Sequence, residues 1–155
     1  MKFLILSLMI VSSAHALTIK EGSYESERCF VEVTKTSQGG SYVEIASKAN
    51  DNTLEREVMV IDAAGDLIDG PGLCTDEVTM GRNSRSKISI TTIGSNGVKS
   101  TTIKCGGLGY PITLEAQIVT NAKSELVSFI ESSATKQLLL KKTRKMDCGK
   151  LKMIK

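Results

Sequence analysis

One short stretch near the start of the chain alternates between apolar and mostly polar side chains. In Arg28–Lys35, the residues Cys29, Val31 and Val33 occupy every second position. This period of two predicts a half-buried β-strand, because successive side chains of a strand point to opposite faces of a sheet. A cysteine on the buried side of such a strand further predicts that a disulfide ties the strand to another part of the fold.

The first residues predict export. Lys2 precedes an apolar run, and the small-x-small triplet Ala14-His15-Ala16 follows it, which is the pattern of a secretory signal cleaved after Ala16. We therefore expect a signal peptide over 1–16, one secreted β-domain over 17–155, and a secreted or periplasmic location. The apolar run is too short to span a bilayer and no later run is longer, so we expect no membrane-spanning segment.

Removal of the signal also removes the only histidine, His15. Catalytic arrangements and zinc sites that depend on imidazole are then excluded. The triad Asp62, Asp66 and Asp69 does not match the spacing of a calcium loop, and it is better explained as a turn in which Gly65 adopts a left-handed conformation. We expect no enzyme, and no catalytic, cofactor-binding or metal-binding residues.

The chain has four cysteines, all on the apolar side of a predicted strand: Cys29, Cys74, Cys105 and Cys148. In an exported chain, widely spaced cysteines predict two structural disulfides. The favoured pairing is Cys29 with Cys148 and Cys74 with Cys105, and the two other pairings stay open at this point.

The rest of the chain is predicted to consist of short strands separated by turns. The predicted strands are the stretches 41–47, 57–61, 74–80, 86–95, 98–105, 112–120, 125–130, 136–148 and 151–154. Asn96-Gly97 predicts a two-residue hairpin turn that sets Ile90 opposite Ile103 and Ile88 opposite Cys105. The stretch Asn121–Ala134 has apolar residues at both strand and helix spacing, so a hairpin is favoured and a helix stays open.

Eight to ten short strands predict an all-β fold, either a single antiparallel meander-like β-barrel or a β-sandwich. If the first and last strands close the barrel, Cys29 lies near Cys148. A regular antiparallel register would then place Val31 opposite Met146 on the inside and Glu32 opposite Lys145 on the outside.

Charge is unevenly distributed along the chain. Leu17–Glu77 has five Lys and Arg against thirteen Asp and Glu, a net charge of −8, and Val78–Lys155 has fourteen against four, a net charge of +10. One interpretation is that acidic and basic strands lie side by side and pair across the sheet. The other is a basic face that attracts an anionic surface, formed by Lys136, Lys141, Lys142, Arg144, Lys145, Lys150, Lys152 and Lys155.

These patterns indicate a binding module. A barrel interior predicts a small apolar ligand. The alternative is a non-enzymatic protein-interaction module, such as a secreted inhibitor or an envelope-associated factor, with candidate contact residues in two loops at Arg82, Arg85, Leu108 and Tyr110. With three Phe, three Tyr and no Trp, the chain lacks the aromatic platforms of nucleic-acid-binding modules, so no nucleic-acid partner is expected.

Overall fold

The computed structural model describes residues 17–48, 54–69, 86–106, 112–137 and 140–155. These residues form eleven β-strands, and none of them is helical. The strands are β1 (Gly22–Glu25), β2 (Cys29–Lys35), β3 (Ser41–Lys48), β4 (Leu54–Ile61), β5 (Leu67–Asp69), β6 (Ser86–Ile93), β7 (Lys99–Gly106), β8 (Ile112–Thr120), β9 (Leu126–Gln137), β10 (Leu140–Lys150) and β11 (Lys152–Met153).

The strands form two antiparallel sheets. The N-terminal sheet has the order β11-β1-β2-β3-β4-β5, and the C-terminal sheet has the order β10-β9-β8-β7-β6. Within β1–β5 and within β6–β10, strands that follow one another in the chain are therefore neighbours in space, as in the predicted meander, whereas β11 leaves β10 and pairs with β1. The all-β, antiparallel prediction is confirmed, and two sheets fit a sandwich as well as a barrel.

Four hairpins share one turn geometry. In each, the third loop residue has a positive φ: Gly39 (83°), Gly65 (84°), Gly97 (72°) and Ser124 (60°). Its N–H donates to the carbonyl three residues earlier, for example Gly65 N to Asp62 O at 3.0 Å. This is the three-residue loop made of a type I turn followed by a left-handed residue. The predicted turn at Asp62 is confirmed, and the Asp62 carboxylate accepts a hydrogen bond from Asp66 N at 2.8 Å.

The same geometry corrects the register predicted around Asn96-Gly97. The loop has three residues rather than two, because Gly94 N donates to Val98 O at 2.8 Å. Ile90 consequently faces Thr102 rather than Ile103, and Lys87 rather than Ile88 faces Cys105. A slip of one residue exchanges the two faces of a strand, so Ile103 is buried whereas Ile90 is 55% exposed.

The C-terminal sheet contains one chain reversal that the sequence does not predict. The predicted strand 136–148 is divided between β9 and β10, which pair with Gln137 opposite Leu140. The alternative left open for Asn121–Ala134 is decided in favour of the hairpin, because β8 and β9 pair along their whole length.

The last part of the chain joins the two sheets. β10 pairs with β9, and after Leu151 the chain continues as β11, which pairs with β1. Along this segment Arg144 contacts Glu57 of β4, Cys148 is bonded to Cys29 of β2, and Lys152 lies opposite Glu25 of β1. From Arg144 to Cys148, β10 thus crosses from β4 to β2 of the N-terminal sheet, and it pairs with neither strand because its hydrogen-bonded neighbour is β9.

This crossing overturns the register predicted between the first and last long strands. β2 pairs with β1 and β3, not with β10, so Val31 does not face Met146. Glu32 does not meet Lys145, which bonds Asp147 instead at 3.1 Å. The lead-in before Arg28 contains the unpredicted strand β1, which pairs with β2 on one side and with the edge strand β11 on the other.

Both sheets contribute to one hydrophobic core. Its largest fully buried side chains include Tyr24, Val31 and Ile45 from the N-terminal sheet, and Ile118 and Phe129 from the C-terminal sheet. The alternation read from β2 is confirmed, since Cys29, Val31 and Val33 are all fully buried.

One disulfide has both of its cysteines in the described residues. Cys29 and Cys148 are bonded, as predicted, and they lie 119 residues apart in the chain. Cys105 is also disulfide-bonded. Its predicted partner, Cys74, lies outside the described residues, so the second pairing stays a prediction.

Candidate binding surfaces

The two sheets differ in charge. In 17–48, 54–69 and 151–155, which form the N-terminal sheet, seven Lys and Arg stand against ten Asp and Glu, whereas in 86–106, 112–137 and 140–150 the counts are ten and four. The interpretation that acidic and basic strands lie side by side holds only for β11, whose Lys152 lies opposite Glu25 of β1; elsewhere the acidic strands β1–β5 pair with one another and the basic strands β6–β10 do the same. Charge is separated between the two sheets rather than balanced within each.

The outward side of β2, β3 and β4 carries aromatic, aliphatic and acidic side chains, and we call it the aromatic–acidic face. Phe30 and Tyr42 are 40% and 38% exposed on it. The strand registers give three rows across the face. The first row is Thr34, Tyr42 and Val60, the second is Glu32, Glu44 and Val58, and the third is Phe30, Ala46 and Arg56.

The middle row places two carboxylates side by side. Glu32 of β2 lies directly opposite Glu44 of β3, and like charges in this arrangement are destabilising. Arg56 offsets part of this repulsion through a 3.4 Å contact with Glu44, although its side chain is 68% exposed. On its other side, Glu32 faces Ser23 of β1, which brings no positive charge.

The outward side of the C-terminal sheet is different, because its polar groups bond one another. Lys104 pairs with Glu115 at 3.3 Å, and Gln117 donates to Ser100 Oγ at 3.3 Å. Ile90 is also exposed on this side, at 55%, but none of the described residues there is aromatic, so the side provides control positions for experiments on the aromatic–acidic face.

A cleft of about 780 Å³ lies where β10 turns into β11 beside the β1–β2 turn. Its lining mixes both signs of charge: Glu25, Ser26, Glu27, Arg28, Asp147, Cys148, Gly149, Lys150, Lys152 and Ile154. With three acidic and three basic side chains around the disulfide, it lacks the net charge that would select an anion or a cation.

Asp147, in the cleft lining, has the clearest electrostatic role there. The backbone N–H of Gly149 donates to its carboxylate at 3.0 Å, and Lys145 Nζ donates at 3.1 Å. These hydrogen bonds stabilise the ionised form and lower the pKa of Asp147 below its usual 3.8. The Asp147 carboxylate therefore stabilises the bend between β10 and β11, and this role is structural.

Two charged side chains meet on the inward sides of the sheets. Arg144 Nη2 lies 3.1 Å from Glu57 Oε1, and the Glu57 side chain is only 15% exposed. By strand alternation, Arg144 lies on the same side as Met146 and Cys148, and Glu57 on the same side as Met59. The pair consequently bridges the two sheets at the rim of the core.

The residues predicted to form contact loops and a basic face differ in where the structure places them. The candidate contact residues Arg82, Arg85, Leu108 and Tyr110 all lie outside the described residues. Of the predicted basic face, Lys145, Lys150, Lys152 and Lys155 are exposed, whereas Arg144 turns towards Glu57. Because Lys145 bonds Asp147 and the next two lysines line the mixed cleft, the described part of this surface is not uniformly basic.

Two further observations concern the described part of the chain alone. There, no three His, Cys, Asp or Glu side chains come together in a group that could hold a metal ion. No helix in these residues is long and apolar enough to cross a membrane.

The sequence did not single out the aromatic–acidic face. Its one signal is that Phe30 and Tyr42 occupy positions of β2 and β3 where alternation predicts solvent. Comparison with known protein families, with curated proteins and with solved structures finds no match for this chain.

Proposed function

We propose that this chain is an exported, disulfide-bonded β-domain that binds another protein through its aromatic–acidic face. The observation that carries the proposal is the exposure of Phe30 and Tyr42 beside the half-buried Val58 and Val60 on the outward side of a sheet. Aromatic side chains are enriched where proteins bind one another, because they bury much apolar area with few rotatable bonds.

The core supports a protein partner over a small apolar ligand. The inward side chains of both sheets pack into a single hydrophobic cluster, and residues from β2, β3, β7, β8 and β9 in it are essentially inaccessible to solvent. A ligand-binding interior needs a concave apolar space, whereas the described core is occupied by its own side chains.

For the fold, we infer that the two sheets form one continuous, barrel-like sheet rather than two independent layers. The meander order continues from β5 through β1, passes by the β11–β10 bend into the other sheet and ends at β6. A disulfide between Cys74 and Cys105 belongs to this proposal, since Cys105 is disulfide-bonded and Cys74 is the remaining cysteine.

Site-specific photocrosslinking in the native compartment tests the function. A benzophenone amino acid replaces Tyr42 in one variant and Gln117, on the outward side of β8, in the control. We expect a discrete protein adduct from position 42 and none from position 117. Equal labelling at both positions, or a small apolar molecule that co-purifies in stoichiometric amount while position 42 gives no adduct, would contradict the proposal.

A further inference from the structure

Resting on the proposed function, we propose that the partner presents a basic segment, whose arginine or lysine side chain lies over the facing carboxylates of Glu32 and Glu44. The aromatic–acidic face is thus a site for a positively charged polypeptide and not a general apolar docking surface.

The charges of the face favour a positively charged partner. Glu32 and Glu44 stand directly opposite each other, and Glu25 lies opposite Phe30 in the next row. Two positive groups lie in these rows: Arg56 contacts Glu44 from a largely exposed position, and Lys152 of β11 lies opposite Glu25, which leaves Glu32 without a basic residue opposite it on either neighbouring strand. A cation from the partner would relieve the repulsion between the facing carboxylates, whereas an acidic partner would increase it.

The aromatic side chains lie at the right spacing for the same cation. Phe30 is two residues from Glu32, and Tyr42 is two residues from Glu44, on the same side of the sheet. Two residues along a strand span about 6.6 Å, and a cation interacts with an aromatic ring from up to about 6 Å. Arginine fits best, because its planar guanidinium can stack on a ring while it donates two hydrogen bonds to a carboxylate.

The aliphatic side chains of the face indicate which residues of the partner lie on either side of its cation. Val60 and Tyr42 share one row, Phe30 and Ala46 share another, and the carboxylate row lies between them. In an extended segment whose arginine lies over the middle row, the residues two positions before and two positions after the arginine lie over the outer rows. The matching partner pattern is apolar-x-Arg-x-apolar.

A second copy of this chain is a poorer occupant. Its exposed Lys104 and Lys145 already pair with Glu115 and Asp147. Lys150 and Lys152 line a cleft that also contains three acidic side chains. These four lysines would therefore bring acidic groups towards the carboxylates of the face.

Defined peptides test the inference. The probes are fluorescent peptides with Leu-Thr-Arg-Thr-Leu at the centre, and matched peptides with Gln or Glu in place of Arg. Binding is followed by fluorescence anisotropy with the wild-type domain, the Glu32→Gln/Glu44→Gln variant and the control Glu115→Gln on the outward side of the other sheet. Circular dichroism checks that each variant is folded.

We expect the wild-type domain to bind the Arg peptide about tenfold more tightly than the Gln peptide, which is the effect of a single well-placed charged contact. About 0.5 M NaCl should reduce this preference, because salt screens exposed charges. The double variant should lose the preference and Glu115→Gln should keep it. Equal binding of the Arg and Gln peptides, or a preference that persists in the double variant, would overturn the inference.

The outcomes separate this inference from the proposed function. If no Arg preference is found but position 42 still crosslinks to a protein, the basic-partner inference fails and protein binding stands. If position 42 gives no adduct either, both fail. A dimer detected by sedimentation velocity and abolished by Phe30→Ser would assign the face to a second copy, and would also overturn the inference.

Discussion

Loss of the disulfide between Cys29 and Cys148 is predicted to be the most destabilising change at a single contact. The two cysteines are 119 residues apart, so the bond closes most of the domain into one loop. In the chain-entropy model, a loop of this length lowers the entropy of the unfolded chain by about 16 cal/mol/K, which corresponds to about 4.9 kcal/mol at 25 °C. This is comparable to the whole stability of many small domains.

The assay is urea unfolding of the Cys29→Ala/Cys148→Ala variant, followed by far-UV circular dichroism because the chain has no Trp. With a slope of about 1.5 kcal/mol per M, the midpoint should fall by about 3 M. The control is Val33→Ala, which truncates a buried side chain on the same strand without opening the loop and should cost about 1–3 kcal/mol. If the double variant loses no more stability than this control, the disulfide is not the main tie between the sheets.

Three further predictions concern the junction of the sheets and one turn. Arg144→Gln should cost about 1–2 kcal/mol, because it removes the cation that faces the nearly buried Glu57 carboxylate, and urea unfolding should show a smaller loss for Glu57→Gln. The pKa of Asp147 is lower in the folded than in the unfolded chain, so its contribution to stability is present above the unfolded pKa and is lost as pH falls through about 3.8 towards the folded pKa. The free energy of unfolding, measured from pH 6 to pH 2, should therefore depend less on pH in Asp147→Asn than in the wild type. Identical pH profiles would refute the assignment. Gly40→Ala should cost about 1–3 kcal/mol, because the new methyl group would overlap a backbone carbonyl of β4, whereas Gly94→Ala, with 3.6 Å to its nearest neighbour, should be milder in thermal unfolding.

Local patterns predicted the strands well where apolar and polar residues alternate. Cys29, Val31 and Val33 are buried as expected, and Cys148 is the predicted partner of Cys29. The burial of these residues depends on side-chain hydrophobicity, which is visible in the sequence, whereas the cysteine pairing was inferred from a strand neighbourhood between β2 and β10 that the structure does not have.

Features that depend on longer-range geometry were not predicted. β1 was missed because its four residues include only one large apolar side chain, Tyr24. The reversal between Gln137 and Leu140 has no Gly, Pro or Asn to mark it. Asn96-Gly97 favours a two-residue turn, but here Gly97 alone takes the positive φ and the loop gains a residue.

The candidate site was hidden for a related reason. No prediction was made for the side chains of Phe30 and Tyr42, and only the registers show that they flank Glu32 and Glu44 on neighbouring strands. The charge asymmetry was visible in the sequence, but its meaning depended on which strands pair. The structure assigns most of the acidic and basic halves to different sheets, and only β11 of the basic half joins the acidic sheet, at its edge beside β1.

Nuclear magnetic resonance mapping tests the central claim most directly. In a titration of the isotopically labelled domain with the Arg peptide, amide shifts should change at Phe30–Glu32 and Tyr42–Glu44 and stay constant at the cleft residues Gly149 and Lys150. The Gln peptide should produce smaller changes at the same positions. Shifts confined to the cleft, or spread evenly over both sheets, would contradict the assignment of the aromatic–acidic face as the binding surface.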